Sequence, residues 1–191
     1  LQIIKTKPGI QRTSGAFIMQ RGRDNERYLF SDCAININPN AQELAEIAVA
    51  SARTAELFDI DPKVALLSFS TMGSARGEEV TKVQEATKIA KELAPDLDID
   101  GELQFDAAYV PVVANQKAPD SKVAGQANVF VFPELQSGNI GYKIAQRFGN
   151  FEAIGPILQG LNKPISDLSR GSNEEDVYKL AIITAAQALQ N

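Results

Sequence analysis

Short apolar runs alternate along this chain with longer segments whose apolar residues recur at helical spacing. Residues 14–20 and 28–34 read as two strands around a polar turn at 22–26, a hairpin. Asn40 caps a helix over 41–58 with Leu44, Ile47, Ala48, Ala55 and Phe58 on its apolar side. The run from Val64 to Ser70 fits a buried strand. A helix follows over 78–93, with its stripe at Val83, Ala86, Ala90 and Leu93 and an acidic first turn. Residues 99–104 predict a strand and 105–115 a short helix that Pro111 bends or ends. Residues 116–125 form a polar surface loop, and 128–132 read as a buried strand. A helix is expected over 140–148, a strand over 153–158 and a final helix over 174–189. That last helix is apolar on almost every side, so burial on several faces is expected.

Strands alternating with helices imply an α/β fold, largely parallel, with a local antiparallel hairpin at the start. The 191 residues suit one domain, or one domain and part of another. The best candidate boundary is the turn-rich stretch 148–155. The chain opens on Leu1 and its first methionine is Met19, so it is expected to be a piece cut from a longer protein.

Charge and composition narrow the chemistry. The net charge of −5 leaves no basic surplus for phosphate backbones, which argues against nucleic acid as a partner. No apolar stretch is long enough for a membrane-spanning helix, and no signal peptide is evident at the start. The single cysteine, Cys33, cannot form an internal disulfide, which fits a reducing cytoplasm. It is read as a small buried apolar residue rather than a nucleophile, because the chain has no histidine to activate it. The same lack removes Ser-His-Asp and Cys-His catalysis and most zinc sites, so proton transfer falls to carboxylates, Lys, Tyr or Cys.

Two loops could hold an anion. Residues 155–176 carry three glycines, two prolines and the turn Ser169-Arg170-Gly171 just before the last helix. Free backbone N–H groups and the helix dipole favour negative charge there, and Arg170 adds a fork suited to phosphate. Asp176 sits in the first helical turn, near enough to face the same loop. The plainer reading is a capping box, Ser172-Asn173-Glu174-Glu175, whose acids only complement the dipole. Ser169 would then have no capping duty, which favours function. The second loop, Ser70 to Gly77, joins a buried strand to a helix. Thr71, Gly73 and Ser74 could cradle a phosphate at the carboxyl end of that strand. It lacks the Lys-Ser/Thr ending of a Walker loop, so an ordinary strand-to-helix connection is the stronger reading.

The runs Gly155-Pro156-Ile157-Leu158-Gln159-Gly160, Lys163-Pro164 and Asp167-Leu168-Ser169-Arg170-Gly171 resemble the C-terminal signature of phosphotransacetylases. Ordered pieces agree along the whole chain: Thr13-Ser14-Gly15-Ala16-Phe17, Leu67-Ser68-Phe69-Ser70-Thr71, Gln104-Phe105-Asp106-Ala107-Ala108, Ala127 to Pro133 and Gly138 to Lys143. The resemblance implies reversible conversion of acetyl-CoA and phosphate to acetyl phosphate and CoA, with no metal or redox cofactor. It implies a three-layer α/β/α fold resembling isocitrate and isopropylmalate dehydrogenases, and a homodimer. It also implies that residues 1–150 form a second domain, while 151–191 return to a first domain whose N-terminal part is absent. Carried over by position, Asp176 is the base, Ser169 assists at the reacting centre and Arg170 orients phosphate or the acyl group. One departure stands at Met72, where many members have lysine in the Ser-Thr-Lys-Gly-Ser-Ala loop.

Phosphate acetyl transfer is thus the leading expectation. Phosphate butyryltransferase is the close rival, and a non-catalytic acyl-CoA-sensing module the rival of another class. The 191 residues alone are expected to be inactive.

Overall fold

The computed structural model describes residues 3–8, 10–22, 26–168 and 170–189. Its elements run β1 (Ser14–Arg21), β2 (Glu26–Ser31), α1 (Ala41–Glu56), β3 (Lys63–Leu67), α2 (Glu78–Leu93) and β4 (Asp98–Leu103). They continue with α3 (Phe105–Tyr109), α4 (Pro111–Lys117), β5 (Val129–Val131), α5 (Leu135–Phe148), β6 (Glu152–Gln159) and α6 (Glu174–Leu189). One sheet holds the six strands in the order β4-β3-β5-β2-β1-β6. β4, β3, β5 and β2 pair in parallel, and β1 runs antiparallel to both its neighbours, β2 and β6. Five strands therefore share one direction, and the initial hairpin supplies the exception. The three-layer α/β/α architecture is the one expected.

Side-chain alternation sorts the strands into two cores. Val64, Leu66, Val129 and Val131 face α1 and α2, where Leu44, Ile47, Ala48, Val83 and Ala86 meet them. Ala65, Leu67, Phe130 and Phe132 face the other way, against Ala107 and Ala108 of α3 and Tyr142 and Ala145 of α5. α1 opens on the expected cap: Asn40 accepts from the Glu43 N–H at 2.9 Å while Glu43 accepts from the Asn40 N–H at 3.0 Å.

Several expectations change. The strand over 64–70 ends at Leu67, and the chain turns at once. The helix over 105–115 is two helices, because Pro111 has no N–H to continue the first and starts the second at a helical N-terminus. α5 begins at Leu135, five residues earlier than expected, capped by the Glu134 carboxylate, which accepts from the N–H groups of Gln136 and Ser137. Packing explains the two glycines inside α5. A Cβ at Gly138 would lie 2.3 Å from the Asp32 carbonyl oxygen, and one at Gly141 would lie 2.9 Å from the Phe132 ring. Ordinarily a helical Gly→Ala change gains about 1 kcal/mol. Gly138→Ala is expected to lose at least about 2 kcal/mol instead, since the obstacle is backbone. Urea unfolding measures it, and a stabilised variant would refute this close approach.

The expectation for α6 is also corrected. Only Leu180, Ile183 and Gln187 are buried, while Val177, Tyr178 and Ile182 are exposed. The helix rests on β6, an edge strand, and packs with Ile18, Ile154, Ile157 and Phe58 on one side only. The proposed division at 150/151 falls between α5 and β6, where the sheet continues through the β1–β6 pairing.

Candidate active site

A cleft of about 400 Å³ opens between α5, β6 and the start of α6. Tyr142, Lys143, Gln146 and Arg147 line it from α5, Ala153 to Gly155 from β6, and Gly171, Ser172 and Asp176 from the last loop and helix. The floor is rigid: Phe17 of β1 stacks on Tyr142 at 4.2 Å between ring centroids. Burial pushes the Tyr142 hydroxyl above its usual range, with the nearby Cys33 adding to the shift, so this phenol is protonated at neutral pH.

Asp176 is half-buried at the cleft wall. Its position comes from a capping box one residue later than the expected Ser172–Glu175 pair. Asn173 Oδ1 accepts from the Asp176 N–H at 3.0 Å, and Asp176 Oδ2 accepts from the Asn173 N–H at 3.0 Å. The candidate base is thus itself the carboxylate that closes the helix end. The cap fixes its rotamer and holds one oxygen, which orients the group without neutralising it. Gly171 lines the cleft beside it, whereas Arg170 is exposed and is not a lining residue. Ser169 lies outside the described residues.

Lys143 and Arg147 were not singled out as site residues by the sequence. They stand one helical turn apart, so both project from one side of α5. Lys143 donates to Asn139 Oδ1 at 2.7 Å and lies 5.6 Å from the Tyr142 ring centre. Their sequence signal was only two cations at i and i+4 on an expected helix. With Asp176 opposite, the cleft presents two cations, one carboxylate and a helix N-terminus, a balance that suits an anionic substrate.

The loop holding Thr71, Gly73 and Ser74 lies elsewhere; none of residues 70–77 lines this cleft. Its donors point inward. Glu102 Oε1 accepts from the Gly73 N–H at 2.7 Å and the Ser70 hydroxyl at 2.8 Å. Ser74 Oγ accepts from the Thr71 N–H at 2.9 Å, and Thr71 Oγ1 bonds Gln104. The backbone takes left-handed φ values of 47° at Met72 and 82° at Gly73. An internal carboxylate therefore already occupies this cradle.

Cys33 and Asp32 are structural. The Cys33 thiol is fully buried, and burial holds its pKa well above the ordinary value, with Asp32 adding to the effect, so thiolate is suppressed. Asp32 Oδ1 accepts from the N–H groups of Gly15, Ala34 and Ile35, and its Oδ2 accepts from that of Asn36. Among the described residues, no group of three or more His, Cys, Asp or Glu side chains could hold a metal ion, and no helix is long and apolar enough to cross a membrane.

A family model described as phosphate acetyl/butaryl transferase matches residues 1–185. The phosphate acetyltransferase of Bacillus subtilis (strain 168) is 69% identical over 189 residues, covering 99% of this chain and 58% of that protein. A crystal structure of a phosphotransacetylase from Streptococcus pyogenes matches with a TM-score of 0.98 at 73% identity, over 100% of this chain and 58% of that one. The chain therefore spans 58% of the length of both. A 4-hydroxythreonine-4-phosphate dehydrogenase from Klebsiella pneumoniae, at a TM-score of 0.57 and 13% identity over 92% of this chain and 55% of that one, shares the fold alone. Since the family model takes in nearly every residue, the chain belongs to the phosphate acetyl/butaryl transferase family.

Proposed function

We propose that this chain carries one wall of the active site of an enzyme that moves an acetyl group reversibly between CoA and phosphate. The observation that supports it most is the cleft itself, where Asp176 faces Lys143 and Arg147 in a chain of this family. The volume suits the reacting thioester, thiol and phosphate ends, with the rest of CoA outside. Acetyl phosphate and CoA react as follows. Asp176 takes the thiol proton, and the thiolate adds to the acetyl carbonyl. The tetrahedral intermediate then collapses, breaking the carbon–oxygen bond to phosphate. The exchange is redox-neutral, so its balance needs neither electron acceptor nor metal. Ser169 and Arg170 stabilise the oxyanion and the leaving phosphate, and Lys143 and Arg147 supply long-range attraction for the anion.

Residues 1–150 form a second domain, and 151–191 return to complete a first domain. The exposed apolar side of α6, with Val177, Tyr178 and Ile182, supports this reading, because further chain would cover it. The working enzyme is a homodimer. A coupled assay of acetyl phosphate formation from acetyl-CoA and phosphate tests the activity on the protein at its full encoded length. Acetyl-CoA is expected to be preferred in a panel of acyl-CoA chain lengths, and the 191 residues alone to show no turnover. Preference for butyryl-CoA would select phosphate butyryltransferase instead. Turnover by the 191 residues would show that this wall suffices.

A further inference from the structure

Depth divides the cleft into two parts. Its rim is polar, with Lys143 and Arg147 exposed on α5 and Asp176 half-buried opposite them. Its floor is apolar: Phe17 is 7% exposed and Leu180 is 4% exposed, and both line the space. Leu180 follows Asp176 by four residues on α6, so the two share one side of that helix, the carboxylate toward the rim and the leucine toward the floor. A group that reacts beside Asp176 therefore has its apolar end over this floor, where burial favours it.

The Phe17 ring is clamped in place. Tyr142 covers one face, with the two rings 13° from parallel and 4.2 Å between centroids. The backbone of Gly155 in β6 passes so close that a Cβ there would lie 2.7 Å from Cδ1 and 3.0 Å from Cγ of the ring. The ring cannot yield toward α5 or toward β6 when a bulkier group presses on it.

Such a floor measures length. An acetyl group ends in one methyl, whereas a butyryl group carries two further methylenes. Those methylenes must displace the ring or lie out at the charged rim. The first overpacks a closed wall, and the second forgoes their burial. A fixed apolar wall separates substrates differing by one methylene by about 10–200-fold.

We infer that Phe17 is the side chain that sets acyl length, closing the floor of the cleft to groups longer than acetyl. The inference rests on the acyl-transfer reading of this cleft and adds the residue that selects the acyl group.

Initial rates with phosphate and acetyl-, propionyl- or butyryl-CoA, measured on the protein at its full encoded length, test it. For the unaltered protein kcat/KM is expected to fall with each added methylene. Phe17→Leu shortens the floor residue and keeps it apolar, so it should raise the butyryl-to-acetyl ratio of kcat/KM at least about 10-fold. Phe17→Met serves as the second variant, because an unbranched thioether fills the core yet bends aside, and it should move the ratio in the same direction. Phe30→Leu is the control: this ring is 6% exposed in the same core and does not line the cleft, so the ratio should stay as it was. Melting curves establish that each variant is folded. Folded Phe17 variants with the unaltered ratio, or an equal rise in Phe30→Leu, would overturn the role of Phe17 and leave acetyl transfer standing. An unaltered protein that prefers butyryl-CoA would overturn both the closed floor and the acetyl preference. Failure of the unaltered protein to transfer any of the three acyl groups to phosphate would overturn the acyl-transfer reading itself.

Discussion

Asp176→Asn is expected to lower kcat by about 10²–10⁴-fold and to leave thermal stability almost unchanged. The contrast follows from the two duties this carboxylate combines. Its Oδ2 accepts from the Asn173 N–H, and an asparagine side-chain oxygen can accept the same bond. The amide therefore keeps the helix cap and removes the base. A CoA thiol titrates near 8.5 like any free thiol, so only a few per cent is thiolate at neutral pH. Without the carboxylate the reaction must rely on that fraction.

Two companion variants separate the duties further. Asp176→Ala removes base and cap together, so it should lose activity and up to about 1 kcal/mol of stability. Asn173→Ala removes the cap while keeping the carboxylate, so it should lose similar stability and far less activity, chiefly through looser positioning of Asp176. Steady-state rates of acetyl phosphate formation alongside melting curves measure all three. An Asp176→Asn enzyme with full activity would reduce Asp176 to a helix cap and move the base elsewhere.

The overlap of these duties also explains how the site was read from sequence. Ser172-Asn173-Glu174-Glu175-Asp176 contains two capping boxes in adjacent registers, Ser172 with Glu175 and Asn173 with Asp176. Local pattern gives no preference between them. The tertiary path of the loop does, and it selects the one that places a carboxylate on the cleft. Lys143 and Arg147 illustrate the opposite limit. Each is an ordinary helical cation until the fold sets α5 across from α6, and their pairing with Asp176 is a long-range fact. The strands and most helix spans were legible because period-two and period-3.6 patterns are local. Errors gathered where tertiary packing overrode local signals. Nothing local explains Gly138 inside α5, because its cause, the Asp32 carbonyl, lies more than a hundred residues earlier. α6 was read as buried because apolar residues surround it, although the described chain covers it on one side only, with β6, Ile18 and Phe58.

The loop at 70–77, whose stronger reading from sequence was an ordinary strand-to-helix connection, supplies the second large expected effect. Glu102→Ala is expected to destabilise the protein by about 3–5 kcal/mol. Glu102 is 2% exposed, and its Oε1 satisfies both the Gly73 N–H and the fully buried Ser70 hydroxyl. Truncation leaves the buried Ser70 hydroxyl without its carboxylate acceptor at about 1–3 kcal/mol, takes the charged acceptor from the part-buried Gly73 N–H and opens a void. Glu102→Gln keeps an acceptor and should lose only about 1–2 kcal/mol, the difference between a charge-assisted and a neutral bond. The charge can be read separately by pH. Burial, the largest single influence on this carboxyl, works to raise its pKa. The Gly73 N–H, the Ser70 hydroxyl, its own backbone N–H and the Gln84 amide together outweigh it, so the folded pKa lies below the ordinary value. The unfolded chain, with a Glu near 4.3, thus takes up the proton first on acidification. The stabilisation is complete above that pH and is lost as pH falls through the folded pKa. The gap in melting temperature between the unaltered protein and Glu102→Gln should therefore be widest near pH 7 and narrow on acidification as the pH falls through the lowered folded pKa. A gap that stayed constant across that range would mean that the ionised form of Glu102 does not hold the loop. Since the loop is filled from within, phosphate should not protect Glu102→Gln from unfolding more than it protects the unaltered protein. Selective protection would show that the cradle accepts an outside anion once its own is weakened.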